Sequence, residues 1–164
     1  MIEPEVHGDL RGYFMETYNQ KDMEEAGLTM NFVQDNQSSS GKAVLRDFHY
    51  QKKYPQGKLI RVIRGTVFDV AVDIRTESAT YGKWYGIVLS EENKKQFYIP
   101  EGFAHGFLVL IEQADFCYKC TDFYHPDDER GIAWDDPTIH IAWPELDVPY
   151  RMSEKDKQWG RLGE

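Results

Sequence analysis

The chain has 164 residues, enough for one substantial core and short for two. Its formal charge of −9 opposes a phosphate backbone, so nucleic acid is not an expected partner, although a few local Arg and Lys residues can still hold a small anion. No apolar run reaches the length that spans a bilayer, and Met1-Ile2-Glu3-Pro4-Glu5-Val6 lacks the basic-then-apolar pattern of a secretory signal; the expected location is cytoplasmic.

In chain order, Asp9-Leu10-Arg11-Gly12-Tyr13-Phe14-Met15-Glu16 comes first. Its Arg11 and Glu16 read either as ligand contacts or as a surface turn with an ion pair of little value. A helix is predicted from Asn19 to Gly27, with Asn19 as N-cap and Gly27 as its stop. Gln34-Asp35-Asn36 offers amide and carboxylate hydrogen bonding, and reads equally as a turn.

The segment from Val44 to Gln51 is the most informative in the chain. It sets Arg46, His49, Tyr50 and Gln51 together, and Lys58 follows a few residues on. Histidine can take and give a proton near neutral pH, and the two cations suit an anionic ligand or a developing oxyanion. The plainer reading of His49 is a hydrogen-bonded histidine on a half-buried strand.

From here the chain reads as strands. Leu59–Ile63 and Thr66–Ile74 are rich in β-branched residues and are separated by Arg64-Gly65, a hairpin signal. In the second run, Val67, Asp69, Ala71 and Asp73 share one face, and Phe68, Val70 and Val72 the other. Further strands are predicted at Trp84–Leu89, Gln96–Ile99, Phe103–Leu110 and Asp115–Tyr124. Turn residues at Glu91-Glu92-Asn93, Pro100-Glu101-Gly102 and His125-Pro126-Asp127-Asp128 punctuate them. Short strands at this rhythm, with 14% aromatic residues, predict an all-β antiparallel sandwich or barrel in one domain spanning 1–164.

His105, between glycines and aromatics, lines a cavity or is a satisfied core histidine. Tyr118 is a possible proton donor, though a strand tyrosine more often packs. Cys117 and Cys120 form a lone C-x-x-C in a strand context, which reads as two ordinary thiols. Ser153-Glu154-Lys155-Asp156 begins a short helix. Asp156 either orients a histidine or completes a capping box. None of the five histidines forms an H-x-H or H-x-x-x-H pair, so no metal site is expected.

Taken together, several stretches resemble the dTDP-4-dehydrorhamnose 3,5-epimerase family. They are Asp9–Glu16, Phe32–Asn36, Val44–Gln51, Gln56–Arg75, Tyr98–Phe107, Tyr118–Asp122, Glu129–Ile132, Trp134–Pro137 and Ser153–Asp156. No single stretch suffices; the ordered set is specific. The resemblance implies a cupin-like jelly roll, a homodimer, no metal or other cofactor, and a dTDP-linked 4-keto-6-deoxyhexose as substrate. It also implies roles: His49 as base, Asp156 as its carboxylate partner, Lys58 beside the C4 oxygen and Tyr118 as acid. Arg11, Glu16, Gln34, Asp35, Asn36, Arg46, His105, Glu129 and Lys155 match substrate-contacting positions.

Two departures stand out. Asp47-Phe48 stands where the family usually reads Gly-Leu. A carboxylate there facing the pocket favours a protonated His49 and opposes an anionic substrate; the expectation is that Asp47 points outward. The family also normally carries further residues, including a dimer-forming strand, ahead of Ile2-Glu3-Pro4. The rival readings are a relative acting at C3 or C5 alone, a ketoisomerase, a non-catalytic sugar-nucleotide binder spoiled by Asp47, and a metal-dependent cupin.

Overall fold

The computed structural model describes residues 1–164. Its strands are β1 (Val6–Asp9), β2 (Gly12–Met15), β3 (Gln34–Gly41), β4 (Leu45–Gln51), β5 (Lys58–Arg64) and β6 (Thr66–Asp73). They continue as β7 (Trp84–Ser90), β8 (Gln96–Ile99), β9 (Phe103–Val109), β10 (Gln113–Cys120) and β11 (Glu129–Ile132). The one α-helix, α1 (Gln20–Glu25), starts where its cap predicts: the Asn19 side chain accepts from the Lys21 N–H at 3.0 Å.

All the strand pairings are antiparallel. One sheet runs β3-β10-β5-β8 and a second runs β11-β4-β9-β6-β7, with β1 and β2 as a separate hairpin. The two larger sheets face each other in a cupin-like jelly roll. The inner faces meet around Ile60, Val62, Val67, Ala71, Phe107 and Phe116. A second core, with Phe48, Val70, Val72 and Ala104, lies on the other face of the five-stranded sheet. Ile132 of β11 belongs to it too, and Ile139 and Trp143 from the C-terminal segment pack on it. The alternation read in β6 is therefore real: Val67 and Ala71 face one core, Val70 and Val72 the other.

The Arg64-Gly65 hairpin is not formed. β5 pairs with β10 and β8, whereas β6 pairs with β7 and β9. Gly65 instead turns the chain from one sheet into the other. Its φ is +82°, and any side chain there would be driven into the Gln113 carbonyl. The local signal, a glycine between two β-branched runs, is the same for a hairpin and for a sheet-crossing corner. We expect Gly65→Ala to cost more than about 3 kcal/mol, from the clash and the positive φ together. Urea unfolding of the variant beside wild type checks this, and a loss under about 1 kcal/mol contradicts it.

The predicted strand at Asp115–Tyr124 begins two residues earlier and ends at Cys120. Cys117 and Cys120 sit three apart on it, so alternation sends their sulfurs to opposite faces. Both are free, and burial pushes both thiols up, which suits inert side chains rather than a redox pair.

Candidate active site

Alternation on the strands of the jelly roll aims one set of polar side chains between the sheets. From the five-stranded sheet come His49 on β4 and His105 on β9, directly paired across the ladder. Lys58 on β5 and Tyr118 on β10 come from the four-stranded sheet. Gln34 and Asn36 on β3 join them, with Asn36 opposite Tyr118. These residues, with Arg46, Glu129, Lys155 and Asp156, line a cavity of about 560 Å³, within the usual range for small-molecule sites.

His49 Nε2 lies 3.0 Å from Asp156 Oδ1. Asp156 opens a short 3-10 turn, Asp156–Gln158, and its N–H donates to Ser153 Oγ at 3.1 Å. The capping contact and the histidine contact thus coexist: the backbone of Asp156 takes the cap while its carboxylate takes the imidazole. Burial pushes the Asp156 carboxyl up, but its bonds with His49 and Ser153 outweigh that and hold it below the usual range. Trp159 packs edge-on to the His49 ring with centroids 5.9 Å apart. Gly131, opposite His49 on β11, leaves room for that indole, because a side chain there would run into it.

Across the cavity, burial pushes the Tyr118 phenol up, so at neutral pH it keeps its proton and can donate it. Burial lowers Lys58, while Cys120, Asp69 and Glu129 pull it back up. His105 Nε2 lies 2.9 Å from Asp69 Oδ2; burial dominates there and favours the neutral ring. Glu129 joins Lys155 in an ion pair and accepts from Tyr124 Oη at 3.0 Å.

Three site residues drawn from the sequence do not reach this cavity. Asp35 lies between Gln34 and Asn36 on one strand, so it faces outward, bound to Lys119 at 2.8 Å. Arg11 lies on the exposed β1–β2 hairpin and pairs with Asp9. Glu16 is also remote and accepts from Asn19 Nδ2 at 2.9 Å. Conversely, Tyr124 and Ser38 line the cavity without having stood out, and Ser153, read only as part of a helix start, lines it as well. Only the strand alternation of β3 could have marked Ser38. Gln51 organises the rim: its side chain donates to the Tyr54 and Phe123 carbonyls and accepts from the His125 N–H.

The expectation that Asp47 points outward is wrong. Asp47 is 0% exposed. In the β4–β9 ladder Arg46 pairs with Phe107 and His49 with His105, so Asp47 and Phe48 together oppose Gly106 alone. This bulge keeps Arg46 and His49 both on the cavity side and folds Asp47 into the cavity floor. Asp47 Oδ1 accepts from the Phe48 N–H at 2.8 Å, while Oδ2 is buried without a hydrogen-bond partner. Burial, reinforced by Asp156 and Asp135 and opposed by the Phe48 and Trp134 amides, pushes this carboxyl up to about 7.

That shift carries a stability cost of known sign. The folded state holds the Asp47 proton more tightly than the unfolded chain does, so stability is full below the unfolded value. It falls as pH rises through the folded one. The loss, between about pH 4 and about pH 7, amounts to roughly 4 kcal/mol. We expect Asp47→Asn to gain stability over wild type at about pH 8 and little at about pH 4. Denaturant midpoints at both pH values read this difference, and an equal effect at both refutes it.

The cavity thus presents a carboxylate-backed imidazole from one sheet and a protonated phenol from the other, with the Lys58 amine lining the same space. Such a site can remove a proton from one face of a bound carbon acid and return one to the other, and it places the protein among the cupin-like jelly-roll isomerases. The family model for dTDP-4-dehydrorhamnose 3,5-epimerase matches residues 1–164. The dTDP-4-dehydrorhamnose 3,5-epimerase of Methanothermobacter thermautotrophicus is 56% identical over 165 residues, covering 100% of this chain and 89% of its own. That of Shigella flexneri is 59% identical over 158 residues, covering 95% of this chain and 86% of its own. The crystal structure of a Legionella pneumophila dTDP-6-deoxy-D-glucose-3,5-epimerase, in complex with dTDP-4-keto-L-rhamnose, superposes with a TM-score of 0.95 at 53% identity. It covers 98% of this chain and 85% of that one. The chain belongs to the dTDP-4-dehydrorhamnose 3,5-epimerase family.

Proposed function

We propose that this protein is a dTDP-4-dehydrorhamnose 3,5-epimerase. It converts dTDP-4-dehydro-6-deoxy-D-glucose to dTDP-4-dehydro-L-rhamnose, using His49 as base and Tyr118 as acid. The observation that carries the assignment of roles is their placement on opposed sheets, with Asp156 3.0 Å behind the imidazole.

The chemistry follows from the sugar. The C3 and C5 hydrogens flank the C4 ketone and are acidified by it. Neutral His49 takes one proton, and the C–H electron pair moves into an enolate whose charge rests on the C4 oxygen. Lys58 faces that oxyanion in a partly dry site, where a fixed cation is worth more than in water. The Tyr118 O–H then delivers a proton to the opposite face of the carbon, the ketone re-forms, and the centre is inverted. Asp156 fixes the imidazole tautomer and stabilises the imidazolium. Arg46 at the cavity wall is suited to a phosphate oxygen, as is Lys155 when its pairing with Glu129 opens.

A homodimer is part of the proposal. The β1–β2 hairpin holds Tyr13 60% exposed and Phe14 69% exposed, with Leu10 fully exposed at its turn. Docked on a second copy, this hairpin would bury those side chains and carry Arg11 and Glu16 towards the partner's cavity, consistent with the substrate-contacting role that the family resemblance gives them. Light scattering on the purified protein tests the stoichiometry, and a monomer at all concentrations refutes it.

The test of function is NMR in D₂O with dTDP-4-keto-6-deoxyglucose. Deuterium at C3 and C5 with the L-configured product is the expected result. Deuterium at one carbon alone overturns the double epimerisation. Bound nucleotide sugar without exchange overturns the catalytic reading altogether.

A further inference from the structure

His49 meets a different neighbour on each side of its strand. On β9 it is paired with His105, a side chain of the same face. On β11 it is paired with Gly131, which brings no side chain to that face. β11 is the last strand of its sheet, so this flank of the imidazole would lie open. The indole of Trp159 fills the gap: a Cβ on Gly131 would fall 2.4 Å from it. Gly131 is not in the left-handed region, so its backbone suits any residue, and the indole is what requires the glycine.

Contacts on both sides of Trp159 in the chain hold it in that slot. It follows directly on the 3-10 turn Asp156–Gln158, whose first residue carries the carboxylate 3.0 Å from His49 Nε2. Beyond it, the Gly160 carbonyl accepts from the Ala133 N–H at 2.9 Å, and the Leu162 N–H donates to Asp136 Oδ2 at 2.7 Å. The Lys155 amine lies over the indole, 5.6 Å from the ring centroid. The indole N–H is buried and bonds nothing, so packing and not a hydrogen bond places this ring.

One hydrogen bond fixes one point of an imidazole; fixing the plane of the ring takes a second contact, because the outer torsion of a histidine is soft. Asp156 engages Nε2, which leaves Nδ1 as the nitrogen free to take a proton. Held at Nε2 alone, the ring can pivot and swing Nδ1 away from a bound carbon acid, or turn over and exchange its two nitrogens. The indole stands against that motion, with centroids 5.9 Å apart and planes at 80°. We propose that Trp159 is a positioning residue: together with Asp156, three residues earlier, it clamps the His49 ring from two directions and keeps Nδ1 aimed into the cavity. Its consequence for turnover rests on the epimerase reading. A misplacement of about 1 Å at a reacting atom can cost about 10²-fold in rate, so a contact that binds no substrate still bears on kcat.

The experiment compares wild type with Trp159→Ala, Trp159→Phe and Gly131→Ala, the last of which drives the indole from its slot without removing it. The first readout is the ¹⁵N spectrum of the neutral His49 ring with no substrate present. Wild type and Trp159→Phe are expected to show one tautomer, with the proton on Nε2. Trp159→Ala and Gly131→Ala should show shifts averaged between the two. The second readout is the kinetics with the nucleotide sugar. In Trp159→Ala and Gly131→Ala kcat should fall by about tenfold or more with KM within about twofold of wild type, and Trp159→Phe should recover kcat to within about threefold. A single, unaveraged tautomer in both Trp159→Ala and Gly131→Ala overturns the proposal, whatever their loss of thermal stability, because a merely structural indole leaves the ring of His49 in place. A loss carried by KM with kcat unchanged also overturns it, since it makes Trp159 a binding group. If Trp159→Ala does not fold, Gly131→Ala, a single methyl on an edge strand, gives the same two readouts. If the wild-type protein does not turn over the sugar, the epimerase reading fails, while the tautomer comparison still decides whether Trp159 holds His49.

Discussion

His49→Ala is expected to reduce deuterium exchange at C3 and C5 by about 10³- to 10⁴-fold while leaving dTDP binding within a few-fold of wild type. The reasoning is geometric. His49 is the imidazole directly backed by Asp156, at 3.0 Å, and it lies on the strand next to the substrate cavity. The other cavity histidine, His105, is buried against Asp69 and is less suited to replace it. Removing the ring leaves Lys58 and Tyr118 in place, so the pocket keeps its polar contacts and loses its base. Exchange measured by NMR and nucleotide affinity measured by calorimetry separate the two effects. Residual exchange within about tenfold of wild type would refute the assignment of the base.

Tyr118→Phe is the second large effect, and its signature is a split. The variant keeps His49, which can still remove a proton and return a deuteron to the same face. Exchange should therefore fall modestly, while formation of the inverted product falls by about 10²-fold or more. The substitution removes one hydroxyl and keeps the ring that packs against Phe116, with centroids 5.7 Å apart, so the fold should hold. Equal loss of exchange and inversion would remove Tyr118 from the acid role and make it a binding group. This split also bears on the rivals: a binding module would show neither process in wild type, and a single-centre epimerase would show both at one carbon.

The pH behaviour ties the site to the fold. Asp156 is held below the usual carboxylate range, so it stays ionised at neutral pH and supports the imidazolium that forms on proton abstraction. Asp47 behaves in the opposite sense, because its burial is not offset by any cation and its second oxygen is unpaired. Two carboxylates on one cavity floor thus take different charge states under the same conditions, and their environments alone separate them.

Much of the architecture was written locally. Asn19 caps α1 because its side chain reaches the free N–H groups of the first turn, a rule that needs no tertiary context. The β6 faces were legible because a period of two is enforced by the backbone itself. His49, Lys58, Tyr118 and Asp156 were named from the chain because their residue types match proton transfer beside a ketone and their order matches the family. The all-β fold and the family followed from the same pattern and are borne out.

The tertiary structure decided what depends on neighbours distant in sequence. Whether Gly65 closes a hairpin or turns a corner depends on which strands lie beside β5 and β6, and β10 and β9 take those places. Whether Asp35 joins Gln34 and Asn36 at the site depends on β3 being a strand and not a turn, and the pleat then sends it to the other face. Asp47 is the sharpest case. One extra residue in β4 shifts the alternation, which moves that carboxyl from an expected outward position into the cavity floor while keeping Arg46 and His49 on one side. A bulge exists only between two paired strands, so no reading of β4 alone could have placed Asp47. The glycine on β9 that makes room for it lies 59 residues further along the chain, at Gly106.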